Sequence, residues 1–220
     1  MLQAVLFDLD GTLLDTQADF ALVINRMLAE QGLPPIEPAR LSSTVSAGAR
    51  AMLKAGFQLT DESPELAKLL TRFLDDYELQ HSEARPYPGV PELLAALENA
   101  GLPWGIVTNK PRRFSALLMP RFPSFARCGS LICPDDIDNK GKPDPTGLWK
   151  ACEELGVDPK HCAYVGDHPR DIEAAHNAGM LSIAAAWGYI PQGDAPERWG
   201  ASFVANDPNV LRDHLLSLLR

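Results

Sequence analysis

Short apolar runs alternate with amphipathic stretches through most of this chain. Runs at 4–7, 104–107, 130–133, 162–165 and 181–186, with a shorter one at 202–205, lack the in/out alternation of half-exposed strands and read as strands buried on both faces. Between them lie helical patterns at 91–100, 112–118, 146–155 and 171–178. A final helix is capped by Asp207 and Pro208 and carries Val210, Leu211, Leu215 and Leu218 inward. Strands alternating with helices predict a mostly parallel sheet covered on both faces, an α/β fold. Residues 16–84 break this rhythm. Residues 17–31 put Phe20, Val23, Ile24, Met27 and Leu28 on one helical face and stop at Gly32, and Pro34, Pro35 and Pro38 make a stiff break. A small-residue turn at 46–50 precedes a short helix through Met52 and Leu53. A longer helix starts at Ser63 and Pro64, with Leu66, Leu69, Leu70, Phe73, Leu74 and Tyr77 as its stripe. The segment reads as an all-helical insert, so we expect two units: 1–15 with 85–220, and 16–84.

With 220 residues the chain can bury a sizeable core. Its net charge of −9 argues against a nucleic-acid or anionic-membrane partner, since either would call for a basic face. There is no apolar run near the length of a membrane span, and the chain enters a strand at once where a signal peptide would sit, so a cytoplasmic location is expected. The four cysteines form no C-x-x-C pair and no zinc spacing, which predicts reduced, mostly buried thiols.

Chemistry gathers where the apolar runs end. The first run stops at Asp8 and Asp10, two apart and so on one side of an extended chain, followed by the turn Gly11–Thr12. Two crowded carboxylates repel unless a cation sits between them or one keeps its proton. The run at 104–107 ends in Thr108 and Asn109, a hydroxyl and free N–H groups at a strand-to-helix junction suited to phosphate. The run at 162–165 ends in Gly166 and Asp167, with Asp171 four residues on. Taken alone, Asp171 reads as a helix cap. Between them lie Lys140 and Lys142, and the proline after Lys142 predicts extended backbone there. Ligands of parallel sheets bind beyond the carboxyl ends of the strands, so these clusters are expected to meet.

The string FDLDGTLLDT at 7–16, the strand ending in Thr108, the Lys142–Pro143 pair and the G-D-x-x-x-D at 166–171 resemble, in order, the motifs of the haloacid dehalogenase superfamily of phosphohydrolases. The resemblance spans essentially the full chain. It implies a Rossmann-like core with an α-helical cap inserted after the first strand. It also implies an Mg²⁺-dependent phosphomonoesterase working through an aspartyl-phosphate. Asp8 is then the nucleophile and Asp10 the general acid and base. Thr108, Asn109 and Lys142 would serve the phosphate; Asp8, Asp10 (through its carbonyl) and Asp167 the metal; Asp171 would steady the metal water or Lys142. The acid at Asp10 disfavours the dehalogenase branch, because a halide needs no proton. Phosphoryl transfer needs charge neutralisation and positioning above all, which this set supplies.

Arg50, with Lys54 one turn later, is the expected cap contact to an anionic substrate. A closer likeness is to the phosphoglycolate phosphatase group. Within it, residues 107–111, 131–135, 187–190 and 199–201 resemble a branch acting on N-acetylmuramic acid 6-phosphate in peptidoglycan recycling. The expected partner is a small phosphate ester acted on by a monomer or weak homodimer. The rivals are 2-phosphoglycolate as substrate, a β-phosphoglucomutase-like mutase, and an idle regulatory domain on the same fold.

Overall fold

A computed structural model describes residues 1–80, 83–190 and 193–219. Residues 81 and 82 of the expected helical insert lie outside that set. Strands β1 (Ala4–Phe7), β4 (Trp104–Val107), β5 (Leu131–Ile132), β6 (Cys162–Gly166), β7 (Leu181–Ala185) and β8 (Phe203–Ala205) form one sheet in the order β5-β4-β1-β6-β7-β8. Every pairing in it is parallel, with Val5 opposite both Trp104 and Ala163. The alternation of side chains along each strand sorts the core into two layers. Val5, Phe7, Trp104, Ile106, Val165 and Ile183 face helices α5 (Val90–Asn99) and α9 (Pro208–Ser217). Ala4, Leu6, Val107, Ile132 and Tyr164 face α7 (Thr146–Leu155) and α8 (Pro169–Ala178). Helix α6 (Arg112–Leu118) follows β4 directly. Phe7 and Leu6 are wholly buried on opposite faces, each such side chain stabilising the fold by roughly 1.5–3 kcal/mol.

Between β1 and α5 the chain builds a second apolar cluster from α1 (Gln17–Glu30), α2 (Pro38–Val45), α3 (Ala49–Phe57) and α4 (Leu66–Leu79). At its centre the rings of Phe20, Phe73 and Tyr77 stack, with Phe20 and Tyr77 centroids 4.5 Å apart. A two-stranded antiparallel ribbon, β2 (Leu14–Asp15) with β3 (Arg85–Pro86), joins the chain where it leaves the sheet to where it returns.

Three expectations need correction. Pro38 does not merely break the chain; it takes the first position of α2, where its missing N–H costs nothing. Ser63 and Pro64 form a turn and α4 begins at Leu66, while the Ser63 Oγ accepts a hydrogen bond from the Thr60 N–H instead of capping the helix. In α9, Val210 is exposed, and Pro208, Leu211 and Leu215 make the buried face. The free cysteines follow expectation, with Cys133, Cys152 and Cys162 buried.

Candidate functional site

The strands β4, β1 and β6 are neighbours, so their exits deliver Thr108, Asp8 and Asp167 to one edge of the sheet. Asp8 is 6% exposed. Its Oδ1 accepts a 2.7 Å hydrogen bond from the Leu9 N–H, and its Oδ2 lies 2.9 Å from the Lys142 ammonium. That ammonium, also buried, is 2.7 Å from Asp171 Oδ1 and donates to the Tyr164 hydroxyl at 2.8 Å. The Tyr164 hydroxyl in turn donates a hydrogen bond to the Val107 carbonyl at 2.8 Å. Lys142 therefore reaches the nucleophile position, while Lys140 is exposed.

Lys142 sits in a turn that the Asp144 N–H closes onto the Gly141 carbonyl. The Asn109 side chain fixes that turn: its Oδ1 accepts from the Lys142 N–H at 2.8 Å and its Nδ2 donates to the Lys142 carbonyl at 3.2 Å. Asn109 thus spends its amide on holding Lys142, which leaves its backbone for a ligand. Thr108 is buried and its hydroxyl accepts from the Lys110 N–H. Asp171 turns out to do two jobs, capping α8 through its Oδ2 and the His168 N–H while pairing with Lys142 through its Oδ1.

Asp167 is almost wholly buried and has only neutral donors, the Thr12 hydroxyl at 3.0 Å and the Tyr189 N–H at 2.8 Å. Burial, then the nearby charges of Asp8 and Asp171, push its pKa up to about 8. Asp8, Asp167 and Asp171 each bring a carboxylate oxygen within 4.8 Å of the others. Lys142 serves Asp8 and Asp171, and among the described residues no cationic side chain pairs with Asp167. A hard divalent cation fits that deficit, since oxygen ligands of this charge are what it takes. The approach is close enough that a Cβ on Gly11, whose φ is +85°, would overlap Asp167 Oδ2, and one on Gly188 would overlap the Gly11 carbonyl.

The Asp10 carboxylate is turned elsewhere. It accepts from the Thr16 hydroxyl at 2.7 Å, and the Lys110 ammonium lies 3.1 Å from both of its oxygens. Lys110 also donates to the Tyr77 hydroxyl at 2.8 Å and lies over the rings of Phe20 and Tyr77. Burial works against its charge, but Asp10 and Tyr77 raise its pKa above the ordinary lysine value.

These groups open on a cavity of about 120 Å³. Asp8, Asp10, Thr108, Asn109, Lys110 and Arg170 line its sheet side, and Phe20, Met52, Phe73, Leu74 and Tyr77 line the opposite wall. Arg50 and Lys54, expected at a substrate, are not among the lining residues. Both turn to Asp61 on the surface, at 3.0 and 2.6 Å. Sequence reasoning passed over Lys110, Tyr77 and Arg170. Lys110 and Arg170 had a usable signal, each lying inside a strand-exit motif; Tyr77 looked only like part of a helix stripe.

The model of the haloacid dehalogenase-like hydrolase family matches residues 5–185. An N-acetylmuramic acid 6-phosphate phosphatase of Pseudomonas aeruginosa is 48% identical over 97% of this chain and 95% of that protein. A phosphoglycolate phosphatase of Xanthomonas campestris is 45% identical over 95% of this chain and 94% of that one. A crystal structure from Haemophilus somnus 129PT, described as a predicted phosphoglycolate phosphatase, superimposes with a TM-score of 0.84 at 26% identity, covering 100% of this chain and 98% of that one.

Proposed function

The chain belongs to the haloacid dehalogenase-like hydrolases and is a phosphatase, and we propose that it hydrolyses N-acetylmuramic acid 6-phosphate through an aspartyl-phosphate on Asp8. The observation that carries this reading is the two-sided cavity: a carboxylate held against a buried lysine on one side, and an aromatic and aliphatic wall on the other. An apolar wall suits a sugar ring with acetyl and lactyl methyl groups. A two-carbon ester such as 2-phosphoglycolate leaves most of that wall uncovered.

In this reading residues 1–15 and 85–220 form the catalytic core and 16–84 the cap, an arrangement supported by the separate apolar clusters and by the ribbon between them. Asp8 and Asp167, with the Asp10 carbonyl, would hold Mg²⁺. The bound ion supplies charge neutralisation at the phosphate, which an anionic nucleophile requires. The remaining work belongs to side chains. The Asp8 oxygen left free of Leu9 attacks phosphorus while Lys142 and Thr108 hold phosphoryl oxygens. Asp10 gives a proton to the ester oxygen of the departing sugar, which leaves as a hydroxyl, then takes one from the water that cleaves the acyl phosphate. Asp171 and Asn109 keep Lys142 in place, and the apolar cap wall keeps bulk water out until the sugar has left. In this reading the enzyme is a cytoplasmic monomer or weak homodimer; the net charge of −9 disfavours nucleic-acid or anionic-membrane partners, and no described helix is long and apolar enough to cross a membrane.

Phosphate release from a panel containing N-acetylmuramic acid 6-phosphate, 2-phosphoglycolate and a hexose 1-phosphate, with Mg²⁺ or EDTA, tests the reading. Expected is a kcat/KM highest for the muramic acid ester, lost in EDTA and in Asp8→Asn. A preference for 2-phosphoglycolate overturns the substrate, isomerisation without release points to a mutase, and silence across the panel restores the idle domain.

A further inference from the structure

Among the charged side chains that line the cavity, Arg170 stands apart. Lys110 is neutralised by Asp10, and Lys142 behind the wall by Asp8 and Asp171. Arg170 has no acidic partner among the described residues. Its guanidinium donates to the Ser46 carbonyl in the turn between α2 and α3, and its Nε is buried without a hydrogen-bond partner. The Ser46 hydroxyl, on the same cavity wall, is likewise buried and unpartnered. Buried polar groups are costly to leave unpaired, and two of them meeting at a cavity mark a place where a ligand supplies what the protein lacks. The missing partner must be an acceptor, because a guanidinium has donors only, and an anion suits it best, since Asp171, the carboxylate that acts on its charge, lies beyond ion-pair distance.

Building on the phosphatase reading above, we infer that Arg170 and Ser46 form the subsite for the substrate's second anionic group, its carboxylate, and that this subsite sets specificity. The phosphoryl end is already served by Lys142 and Thr108, so a monoester without a carboxylate leaves Arg170 uncompensated. One member comes from helix α8 and the other from the helical insert, so a carboxylate bound between them ties the two together over the reacting phosphate. This assigns substrate discrimination to the pair that spans the cavity and removes it from Arg50 and Lys54.

The test uses two esters that differ only in the lactyl ether: N-acetylmuramic acid 6-phosphate and N-acetylglucosamine 6-phosphate, each with the full chain and Mg²⁺. The readout is the ratio of their kcat/KM values. Charge-assisted hydrogen bonds of this kind support a drop in the ratio of about 10- to 100-fold in Arg170→Gln. Arg170→Lys is expected to recover part of it, and Ser46→Ala to lower it by about threefold. Because Ser46→Ala removes one unpartnered hydroxyl from the turn between α2 and α3, that variant keeps the proposal exposed should Arg170→Gln not fold. A ratio that stays at the wild-type value in either Gln or Ala variant overturns the subsite. So does an equal loss for both esters, which would mean that Arg170 serves the phosphoryl group or merely the packing. If wild type turns over neither sugar phosphate, the substrate reading has failed by itself, and the same ratio is taken between 2-phosphoglycolate and ethyl phosphate. A wild-type enzyme with no preference for the carboxylated member of that pair sinks the inference as well.

Discussion

Replacing Asp167 by asparagine should make the metal-free protein more stable at neutral pH while abolishing its activity. The buried Asp167 carboxyl has its pKa pushed up to about 8, against about 3.9 in an unfolded chain. Between those values the folded state holds a proton that the unfolded state has lost, so stability falls as pH rises. The slope is roughly 1.4 kcal/mol per pH unit, which makes about 3 kcal/mol between pH 5 and pH 7. For a chain of this length that corresponds to a Tm lower by about 5–10 °C at the higher pH. Calorimetry in EDTA at both values, on wild type and Asp167→Asn, reads the effect, because groups remote from Asp167 cancel in the difference, and the response of its neighbours Asp8 and Asp171 is counted with it. The variant should lack this component of the pH dependence and exceed wild type at pH 7 by about 4 kcal/mol, the slope accumulated from the unfolded-state value upward. Excess Mg²⁺ should restore wild type and leave the variant unmoved, since the ion replaces the proton on a carboxylate that the variant no longer has. Wild type and variant that track each other between the two pH values in EDTA would refute the reasoning, whatever the activity measurements say.

Two further substitutions probe how the site is held. Asn109→Ala removes both hydrogen bonds to the Lys142 backbone, so kcat with p-nitrophenyl phosphate should fall by about 10- to 100-fold with KM little changed; wild-type kcat would show that the turn holds Lys142 unaided. Tyr189→Phe removes a hydroxyl that accepts from the Thr16 and Gln17 N–H groups and donates to Asp15, and urea unfolding should report a loss of about 1–3 kcal/mol; an unchanged midpoint would mean water takes its place.

The sheet was legible because buried parallel strands are apolar on both faces, and the polar residue that ends each run marks a strand exit. That placed Asp8, Thr108 and Asp167 together before any coordinates. What the sequence could not supply was direction around a helix or within a loop. Arg50 and Lys54 look aimed at the site when counted along α3, but Asp61, which follows that helix, draws both outward. Tyr77 belongs to the apolar stripe of α4, and only the packing shows that its ring fills the helical cluster while its hydroxyl reaches Lys110. Pro38 reads as a breaker from the sequence because proline ends helices and starts them alike. The grip of Asn109 on Lys142 joins residues far apart in the chain, and no spacing rule anticipates it.

A division of labour follows from which side of the cavity carries charge. The lining residues from the helical insert are apolar or neutral: Phe20, Val45, Ser46, Gly48, Ala49, Met52, Phe73, Leu74 and Tyr77. The charged lining residues, Asp8, Asp10, Lys110 and Arg170, are held by the sheet side. An element that must part from the site to admit substrate and return would have to strip water from each charge it carried, at a cost of several kcal/mol per unpaired ion. Neutral groups avoid that cost. Tyr77 meets Lys110 with a hydroxyl whose pKa burial pushes up to about 12, so it stays uncharged, and Ser46 meets Arg170 with a carbonyl. Closure can then be driven by apolar contact with the substrate and by the substrate's own anions, which the fixed cations balance. On this view the insert can change shape and select a different ester without disturbing the electrostatics that Asp8 depends on.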